Sequence, residues 1–385
     1  MDYLYQQYSS YFARAATGTE DTACGELAEL GAGEVRAGYR GVHFGADALA
    51  LYRITYSSRI STRILAPLIT FDCHSAKYLY RRARDIPWPG LFTCDDTFSV
   101  HASVSNSAIR HSQYAALRVK DAIADRFRDE RGRRPSVDTR DADVRVDLHV
   151  HANRATISLE TTGGSTHRRG YRVASVDAPM KENVAAAVIR ASGWNGQTPL
   201  VDPMCGSGTL LAEAVMGYCG VPAGYLKTRF GVRFLPDFDE VLWRRMRVEV
   251  DESVRDLPRQ LVAGSDADPE AVRAARRNLE RVPGGCVVRV DVRRFEDIES
   301  LHAATIVCNP PYGLRTGRPG AMPAFMRSFG DFLKRRCAGS VAYIYFGNRE
   351  WIKSVGLRPA FRMPLENGGL DGRLVRYDLY EGSAR

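Results

Sequence analysis

The sequence lacks the features of a membrane or secreted protein. None of its apolar runs reaches the length of a membrane-spanning helix. Its first residues, MDYLYQQ, contain neither the basic segment nor the apolar segment of a secretory signal. Its eight cysteines occur singly and never as a C-x-x-C pair, which argues against disulfides and zinc–cysteine sites. His149 and His151 form an H-x-H without a nearby cluster of cysteines or carboxylates, so we expect no metal site. These absences together predict a reduced, cytoplasmic protein that does not insert into membranes.

The chain carries an excess of positive charge. Lys and Arg outnumber Asp and Glu by 54 to 45, which gives a net charge of +9 and a pI near 9.2. Basic residues concentrate at 81–84, 126–134 and 168–172, and each cluster is either a solvated basic face or part of a nucleic-acid surface. The composition, with 44% apolar and 26% charged residues, is otherwise that of a globular protein, and 385 residues allow two or three domains.

The first half mixes helices and strands without a glycine-rich ligand turn. Its helices are predicted over 20–30, 46–59, 75–84 and 111–130. Its strands are predicted over 11–13, 41–45, 63–71, 144–150 and 155–159. This mixture favours an α+β binding module, and no catalytic constellation is apparent in it.

From residue 182 onward, helices alternate with short apolar strands. The strands are predicted over 198–202, 261–265, 286–291, 304–308 and 340–346, and the helices over 182–192, 209–218, 269–281 and 322–337. This rhythm predicts a doubly wound parallel sheet, to which strands near 358–364 and 373–380 add an antiparallel edge. An insertion over 219–258, rich in Arg and Trp, is expected to be helical around 238–250, and the sequence leaves its role open.

A glycine turn follows the first of these strands. The residues Asp202, Pro203, Cys205, Gly206, Ser207, Gly208 and Thr209 belong to this turn and to the start of the next helix. The two glycines permit positive φ and leave room for a ligand beside the backbone, and the helix start presents free N–H groups. Because many nucleotide-binding folds contain such a turn, it does not by itself identify the ligand.

Two further acids narrow the choice of ligand. Asp266 ends the second strand and is suited to ribose hydroxyls, whereas Asp291 ends the third and is suited to an adenine amino group. A nicotinamide dinucleotide site would require G-x-G-x-x-G, and a P-loop would require Gly-Lys-Ser/Thr; neither is present at this turn. Each acid alone is equally well explained as a helix cap or a strand-end ion pair. Three acids on successive strand ends predict a cationic adenosyl ligand without phosphates, S-adenosylmethionine.

The fourth strand ends in Asn309-Pro310-Pro311-Tyr312, a stiff loop where the sheet ladder stops. The Asn309 side chain and the Pro310 carbonyl can accept the two N–H bonds of an exocyclic amine, and Tyr312 can stack on the base. Such positioning is most of what methyl transfer to an amine requires, so no strong general base is expected. Cys205 and Cys308 have no group beside them in the sequence that would activate a thiolate nucleophile. The loop alone cannot decide between guanine and adenine.

Several segments resemble the amino-methyltransferases that carry a THUMP RNA-binding domain. Residues 201–211, VDPMCGSGTLL, together with 309–315, NPPYGLR, closely resemble that family. The bacterial 23S rRNA guanine-N2 methyltransferases have segments similar to GVHF at 41–44, SQYAALRVKD at 112–121, HRRGYR at 167–172, APMKEN at 178–183 and ENGGL at 366–370. In some relatives, this unit is followed by a second methyltransferase half, which makes 7-methylguanosine. Since no such half follows here, only the guanine-N2 activity is expected.

The resemblance implies a class I, Rossmann-like methyltransferase sheet preceded by an α+β ferredoxin-like and THUMP region. The expected domains are a ferredoxin-like segment over 1–50, a THUMP domain over 51–165 and a methyltransferase domain over 166–385. Pro179 and Met180 are expected to close over the cofactor. The residues expected to contact RNA are Arg81, Arg82, Arg84, Lys120, Arg168 and Arg169.

These observations predict a monomeric, S-adenosylmethionine-dependent enzyme that methylates guanine N2 in 23S rRNA, either free or within a ribosome assembly intermediate. The first alternative is the same reaction on tRNA, because the THUMP-containing tRNA enzymes share the Asn-Pro-Pro-Tyr loop. The second is N6-adenine methylation of DNA, against which the first half of the chain argues. The third is a non-catalytic RNA-binding assembly factor, although Asn309, the glycine turn and the three acids are intact.

Overall fold

The computed structural model of the protein describes residues 2–176, 179–311 and 321–380. These residues form two compact units that are interleaved along the chain. The first unit comprises residues 2–15, 24–166 and 227–249. The second unit comprises the described residues of 16–23, 167–226 and 250–380. Within the described ranges, no helix has both the length and the apolar character that crossing a membrane requires.

The first unit is built on one sheet of eight strands. In chain order these are β1 (Ser10–Arg14), β2 (Gly33–Gly38), β3 (Gly41–Gly45), β4 (Arg63–Asp72), β5 (Thr97–Ser105), β6 (Ser136–Val137), β7 (Val144–His151) and β8 (Arg154–Glu160), arranged β2-β3-β1-β4-β8-β7-β5-β6. Its helices are α1 (Leu4–Tyr8), most of α2 (Glu20–Glu29), α3 (Ala48–Ser57), α4 (Ala76–Asp85) and α5 (Ser112–Arg131). The sequence analysis did not predict β2, β5, β6 or α1, although Phe98, Val100, Ala102 and Val104 alternate along β5.

Apolar periodicity accounts for the elements that the sequence did predict in this unit. Val146, Leu148 and Val150 alternate along β7 and are buried. On α5 the predicted stripe containing Val119 and Phe127 is likewise buried. A strand repeats its side-chain direction every second residue and a helix about every 3.6, so both patterns were readable from the sequence.

Part of the predicted insertion belongs to the core of the first unit. Residues 227–249 are assigned to this unit, and most of helix α8 (Glu240–Glu252) lies in them. Trp243 is fully buried there, with ring centroids of Phe230 at 5.0 Å, Tyr52 at 5.6 Å and Tyr56 at 6.1 Å. The insertion therefore contributes a large aromatic side chain to the core of the first unit.

The second unit contains a sheet of seven strands. In chain order they are β9 (Leu200–Asp202), β10 (Val262–Asp266), β11 (Arg289–Val292), β12 (Thr305–Cys308), β13 (Val341–Phe346), β14 (Phe361–Asn367) and β15 (Leu370–Asp378). Its helices are α6 (Glu182–Ala191), α7 (Thr209–Cys219), α9 (Pro269–Leu279) and α10 (Ala321–Arg336). Each confirms an element expected from the sequence to within a few residues.

The strand order β11-β10-β9-β12-β13-β15-β14 determines where ligands can bind. Strands β9 to β13 pair in parallel, whereas β15 runs antiparallel to both β13 and β14, as predicted for the C-terminal edge. The order reverses between β9 and β12, which pair directly through Thr305 with Leu200 and Ile306 with Val201. Ligands of such sheets bind beside the carboxyl ends of the strands at this reversal.

Candidate active site

The glycine turn, residues 203–208, connects the carboxyl end of β9 to α7. Gly206 has φ of 53° and Gly208, the residue that caps α7, has φ of 80°, values that favour glycine. A Cβ on Gly208 would lie 3.1 Å from the Cβ of Ala275 on α9, so a side chain there would push the turn away from that helix. The backbone path therefore favours glycine at both positions.

Asp266, at the end of β10, holds this turn in place. Its carboxylate accepts a hydrogen bond from the backbone N–H of Gly206 at 2.8 Å and another from that of Asp268 at 3.0 Å. A carboxylate has about four acceptor positions, so two accepted bonds leave capacity for ribose hydroxyls. The sequence suggested the ribose role, whereas the support that Asp266 gives to Gly206 became visible only in the structure.

Asp202, at the end of β9, is 1% exposed and is the most enclosed of the three strand-end acids. Burial raises the pKa of its carboxyl well above the ordinary value, and the nearby Asp266 acts in the same direction. The backbone N–H of Met204 donates to it at 3.1 Å and acts the other way. A cationic group bound nearby would stabilise the charged form of this carboxylate.

Asp291 lies on the edge strand β11, and its register partner on β10 is Ser265. Its carboxylate is 2.7 Å from the Arg289 guanidinium and 3.7 Å from that of Arg293. Asp291 is partly exposed, so these ion pairs are weak and can rearrange around a ligand. The structure thus places all three acids at the ends of adjacent strands, as expected of a shared binding edge.

Asn309, Pro310 and Pro311 follow β12 at the same sheet edge. Asn309 is partly exposed, Pro310 is buried and Pro311 is exposed. Because β12 pairs with β9, this loop begins beside the strand that ends in Asp202. The expected stacking residue, Tyr312, lies outside the described residues.

Neither cysteine at this edge has the character of a nucleophile. Cys205 in the glycine turn and Cys308 at the end of β12 are both buried. Burial raises the pKa of each thiol well above its usual value, and the nearby Asp202 and Asp266 act in the same direction. Both thiols are therefore held in the protonated form, which is a poor nucleophile. Within the described ranges, no group of His, Cys, Asp and Glu side chains is arranged to hold a metal ion.

The segment expected to close over the cofactor reaches the glycine turn through one arginine. Met180 is buried and Pro179 partly exposed. Arg172 donates to the Met180 carbonyl at 2.9 Å and to the hydroxyls of Ser207 at 3.2 Å and Thr209 at 3.0 Å. The sequence presented Arg172 only as part of a basic cluster, and no pattern distinguished it from its neighbours.

One buried amide lies close in sequence to this segment. Asn183, in the first turn of α6, is 1% exposed, and neither atom of its side-chain amide has a hydrogen-bond partner among the described residues. Buried polar atoms without partners are rare in native structures, and they recur where a ligand or water completes the site.

Four of the six residues expected to contact RNA lie on α4 and α5, which pack against each other in the first unit. Arg82 is 3.2 Å from Asp85, Arg84 pairs with Asp129 and Lys120 is 2.7 Å from Asp121, all at accessible positions. Arg81 is exposed beside the ring of Tyr78. Such surface pairs are weak enough for phosphates to compete for the cations, so RNA contact here stays a prediction.

Arg168 and Arg169, the last two of the six, have opposite environments although they are adjacent. Arg168 is exposed, whereas Arg169 is 1% exposed and pairs with the buried carboxylate of Glu213 on α7. The Tyr171 hydroxyl donates to the same carboxylate at 3.2 Å. A guanidinium enclosed in this way cannot reach a phosphate, so the structure contradicts the expected RNA contact of Arg169.

Three family models match the chain. They are the RlmL ferredoxin-like domain over residues 10–65, the THUMP domain over 73–160 and the RMKL-like methyltransferase domain over 169–376. The third covers more than half of the chain. Together they confirm that a ferredoxin-like and a THUMP region precede a methyltransferase domain.

Curated proteins match along nearly the whole chain. The protein slr0064 of Synechocystis sp., an inferred RNA methyltransferase, is 39% identical over 371 residues, which are 96% of this chain and 97% of that protein. The ribosomal RNA large subunit methyltransferase K/L of Syntrophotalea carbinolica is 36% identical, and that of Aliivibrio salmonicida 34%. These two matches cover 96% and 97% of this chain but only 54% of each relative, so the chain spans about half of their length.

Solved structures share the fold over the same extent. SMU.472, an inferred methyltransferase crystallised with S-adenosylhomocysteine, has a TM-score of 0.84 at 25% identity and covers 97% of this chain and 99% of its own. A Listeria monocytogenes protein described as a predicted N6-adenine-specific DNA methylase has a TM-score of 0.82 at 23% identity, with 96% of both chains covered. At that identity the second likeness concerns the fold alone.

Proposed function

Because this chain belongs to the THUMP-containing family of RMKL-like, S-adenosylmethionine-dependent methyltransferases, we propose that it methylates the exocyclic N2 amine of a guanine in 23S rRNA. One observation carries the proposal: Asn309 follows β12 at the sheet reversal, beside the strand that ends in Asp202. The proposed acceptor of the amine N–H bonds and the proposed cofactor site thus lie at the same end of one sheet.

The residues at this edge suit the proposed methyl donor. When bound, S-adenosylmethionine supplies an electrophilic methyl group on a cationic sulfur. A bound cation would stabilise the charged form of the buried Asp202 carboxyl, whose pKa burial raises, and the positive-φ glycines leave space beside the turn. Asp266 is proposed to hold the ribose hydroxyls and Asp291 the adenine amino group. Ser207, Thr209, Pro179 and Met180 are proposed to line the remainder of the site.

The loop residues are proposed to orient the nucleophile. An exocyclic amine of a purine is weakly nucleophilic, because its lone pair is delocalised into the ring. If its two N–H bonds point to the Asn309 side-chain oxygen and the Pro310 carbonyl, the lone pair turns out of the ring plane. Tyr312 is proposed to stack on the base, and Pro311 to keep the loop rigid. The base must first be exposed in a loop or flipped out of its helix.

The choice of large-subunit rRNA rests on the relatives, and the choice of guanine rests on the resemblance of sequence segments to the guanine-N2 methyltransferases. Two relatives named as ribosomal RNA large subunit methyltransferases match 96% and 97% of this chain. Exposed Arg81 and Arg168 are proposed to bind RNA phosphates without reading sequence. We infer that the enzyme is a cytoplasmic monomer and acts on naked 23S rRNA or on an assembly intermediate. The corresponding tRNA reaction is the first alternative.

Nucleoside analysis tests the substrate. Ribosomal RNA and tRNA from a deletion strain are digested, and the modified nucleosides are identified by mass spectrometry. Loss of one N2-methylguanosine from 23S rRNA, restored by the wild-type gene, is the expected result. Unchanged N2-methylguanosine in rRNA would refute the proposal, and its loss from tRNA would favour the alternative substrate.

Two variants test the division of roles at the site. Asn309→Ala should bind S-adenosylmethionine with wild-type affinity in calorimetry but lose turnover by about 100-fold or more, because the amine is no longer oriented. Asp266→Ala should instead weaken cofactor binding, since both the ribose acceptor and the support for Gly206 are removed. Near-normal turnover in Asn309→Ala would show that Asn309 does not orient the amine.

A further inference from the structure

The side chain of Asn278 connects the glycine turn to residues 173–174 by hydrogen bonds. It lies on α9, is completely buried, and donates from its side-chain nitrogen to the carbonyls of Ser207 at 2.9 Å and Ala174 at 2.8 Å. Its side-chain oxygen accepts from the backbone N–H groups of Val173 at 2.9 Å and Ala174 at 3.0 Å. A side-chain amide offers two donors and two acceptor positions, and here all four are used.

Arg172 connects the glycine turn and the start of α7 to Met180 and Glu182. Its guanidinium reaches the hydroxyls of Ser207 and Thr209, the carbonyl of Met180 and the carboxylate of Glu182, the last at 2.9 Å. The side chains of Arg172 and Glu182 are 17% and 7% exposed, so their ion pair is largely shielded from water. Arginine can reach acceptors in several directions because its donors form a planar fork.

Arg172 and Asn278, which we call the turn latch, therefore both bind Ser207. Asn278 holds the Ser207 carbonyl and Arg172 holds its hydroxyl. Through Met180 and Glu182, Arg172 also holds the start of α6. The packing of Gly208 against Ala275 of α9 leaves the turn little freedom to shift on that side.

We propose that Arg172 and Asn278 are positioning residues that hold the glycine turn, residues 173–174 and Met180 in the arrangement that binds S-adenosylmethionine. The inference rests on the proposed cofactor site. Arg172 acts through Ser207, Thr209 and Met180, and Asn278 acts through Ser207. A binding loop that is ordered before the ligand arrives loses less conformational entropy on binding, so loss of the latch should lower affinity.

Calorimetry with S-adenosylhomocysteine tests the latch without RNA. Arg172→Lys keeps the charge but cannot reach the separate acceptors, and Asn278→Ser is too short to bridge Ser207 and Ala174. The matched controls are Arg277→Lys, at the exposed neighbour of Asn278 on α9, and Asn195→Ser, in an exposed turn. If Arg172→Lys does not fold, Glu182→Gln replaces it, because it removes the ion pair while keeping the side-chain shape.

Each latch variant should raise the Kd for S-adenosylhomocysteine about tenfold, because the unbound turn is less ordered and more conformational entropy is lost on binding. The Kd of each control variant should remain within about twofold of the wild-type value, well below the tenfold change expected of the latch variants. Hydrogen exchange of peptides spanning 203–209 should accelerate in the latch variants before ligand is added.

A purely structural role would lower the Tm and leave the Kd of the folded protein unchanged, and that result overturns the inference. Weak binding by only one latch variant would also overturn it, because the two side chains would then not act together. The measurement does not depend on the methylated base. If the wild type binds S-adenosylhomocysteine but leaves no N2-methylguanosine in rRNA, only the proposed function fails.

Discussion

Replacing Arg169 with methionine should strongly destabilise the second unit. The Arg169 and Glu213 side chains are 1% and 0% exposed, and two contacts of 3.1 and 3.2 Å join the guanidinium to both carboxylate oxygens. Arg169→Met retains most of the side-chain length but leaves the Glu213 carboxylate buried without its guanidinium. Removing one partner of a buried ion pair costs about 3–5 kcal/mol, because the remaining charge is no longer compensated.

Removing both charges should cost much less. In Arg169→Met/Glu213→Leu no charge stays buried, and apolar replacements of buried pairs are often neutral. The Tyr171 hydroxyl, which donates to Glu213 at 3.2 Å, then loses this acceptor. One unsatisfied buried hydroxyl costs about 1–3 kcal/mol, so the double variant should be more stable than Arg169→Met.

Urea unfolding of the wild type, both single variants and the double variant completes the thermodynamic cycle. Hydrogen exchange of peptides from α7 assigns the loss to the second unit, and Arg168→Met is the matched control at an exposed position. Against a typical net stability of about 5–15 kcal/mol, a loss of about 3–5 kcal/mol is easily measured. A loss below about 1 kcal/mol in Arg169→Met, the size of a surface pair, would refute the buried arrangement.

Two further predictions concern Asp202 and Trp243. Burial raises the pKa of Asp202 in the folded protein above its unfolded value, so its stabilising contribution is complete below about pH 4 and is lost as pH rises through the folded pKa. Asn does not titrate, so Asp202→Asn does not lose stability in this way as pH rises. The Tm difference between variant and wild type, measured without cofactor, should therefore grow with pH. A difference that is constant with pH would contradict the raised pKa of Asp202. Trp243→Ala should lower the free energy of unfolding of the first unit by about 3–5 kcal/mol, because a fully buried tryptophan leaves a large cavity. Val241→Ala, at a 76% exposed position on the same helix, should change it by no more than about 0.5 kcal/mol, and equal effects of the two would show that Trp243 does not lie in the core.

The sequence by itself determined the strands and helices of the second unit and the type of cofactor. Strand and helix periodicities are local, so β9, α7 and the later strands and helices of the second unit could be placed to within a few residues. The glycines at 206 and 208 indicated a tight ligand turn, and the positive φ of both confirms that backbone. The acids at the strand ends predicted a cofactor without phosphates, and family membership confirms S-adenosylmethionine.

Only the tertiary structure decided which side chains those elements bring together. The order of the sheet places β12 beside β9 although about a hundred residues separate them, and strand pairing at that distance leaves no local pattern. Arg168 and Arg169 are adjacent in a segment without regular structure, so no periodicity could show that one is exposed and the other buried. Likewise, nothing near Asn278 in the sequence indicates that its amide holds Ser207. Burial and long-range hydrogen bonds depend on packing between distant segments, which is why the sequence predicted the glycine turn but could not predict the residues that hold it.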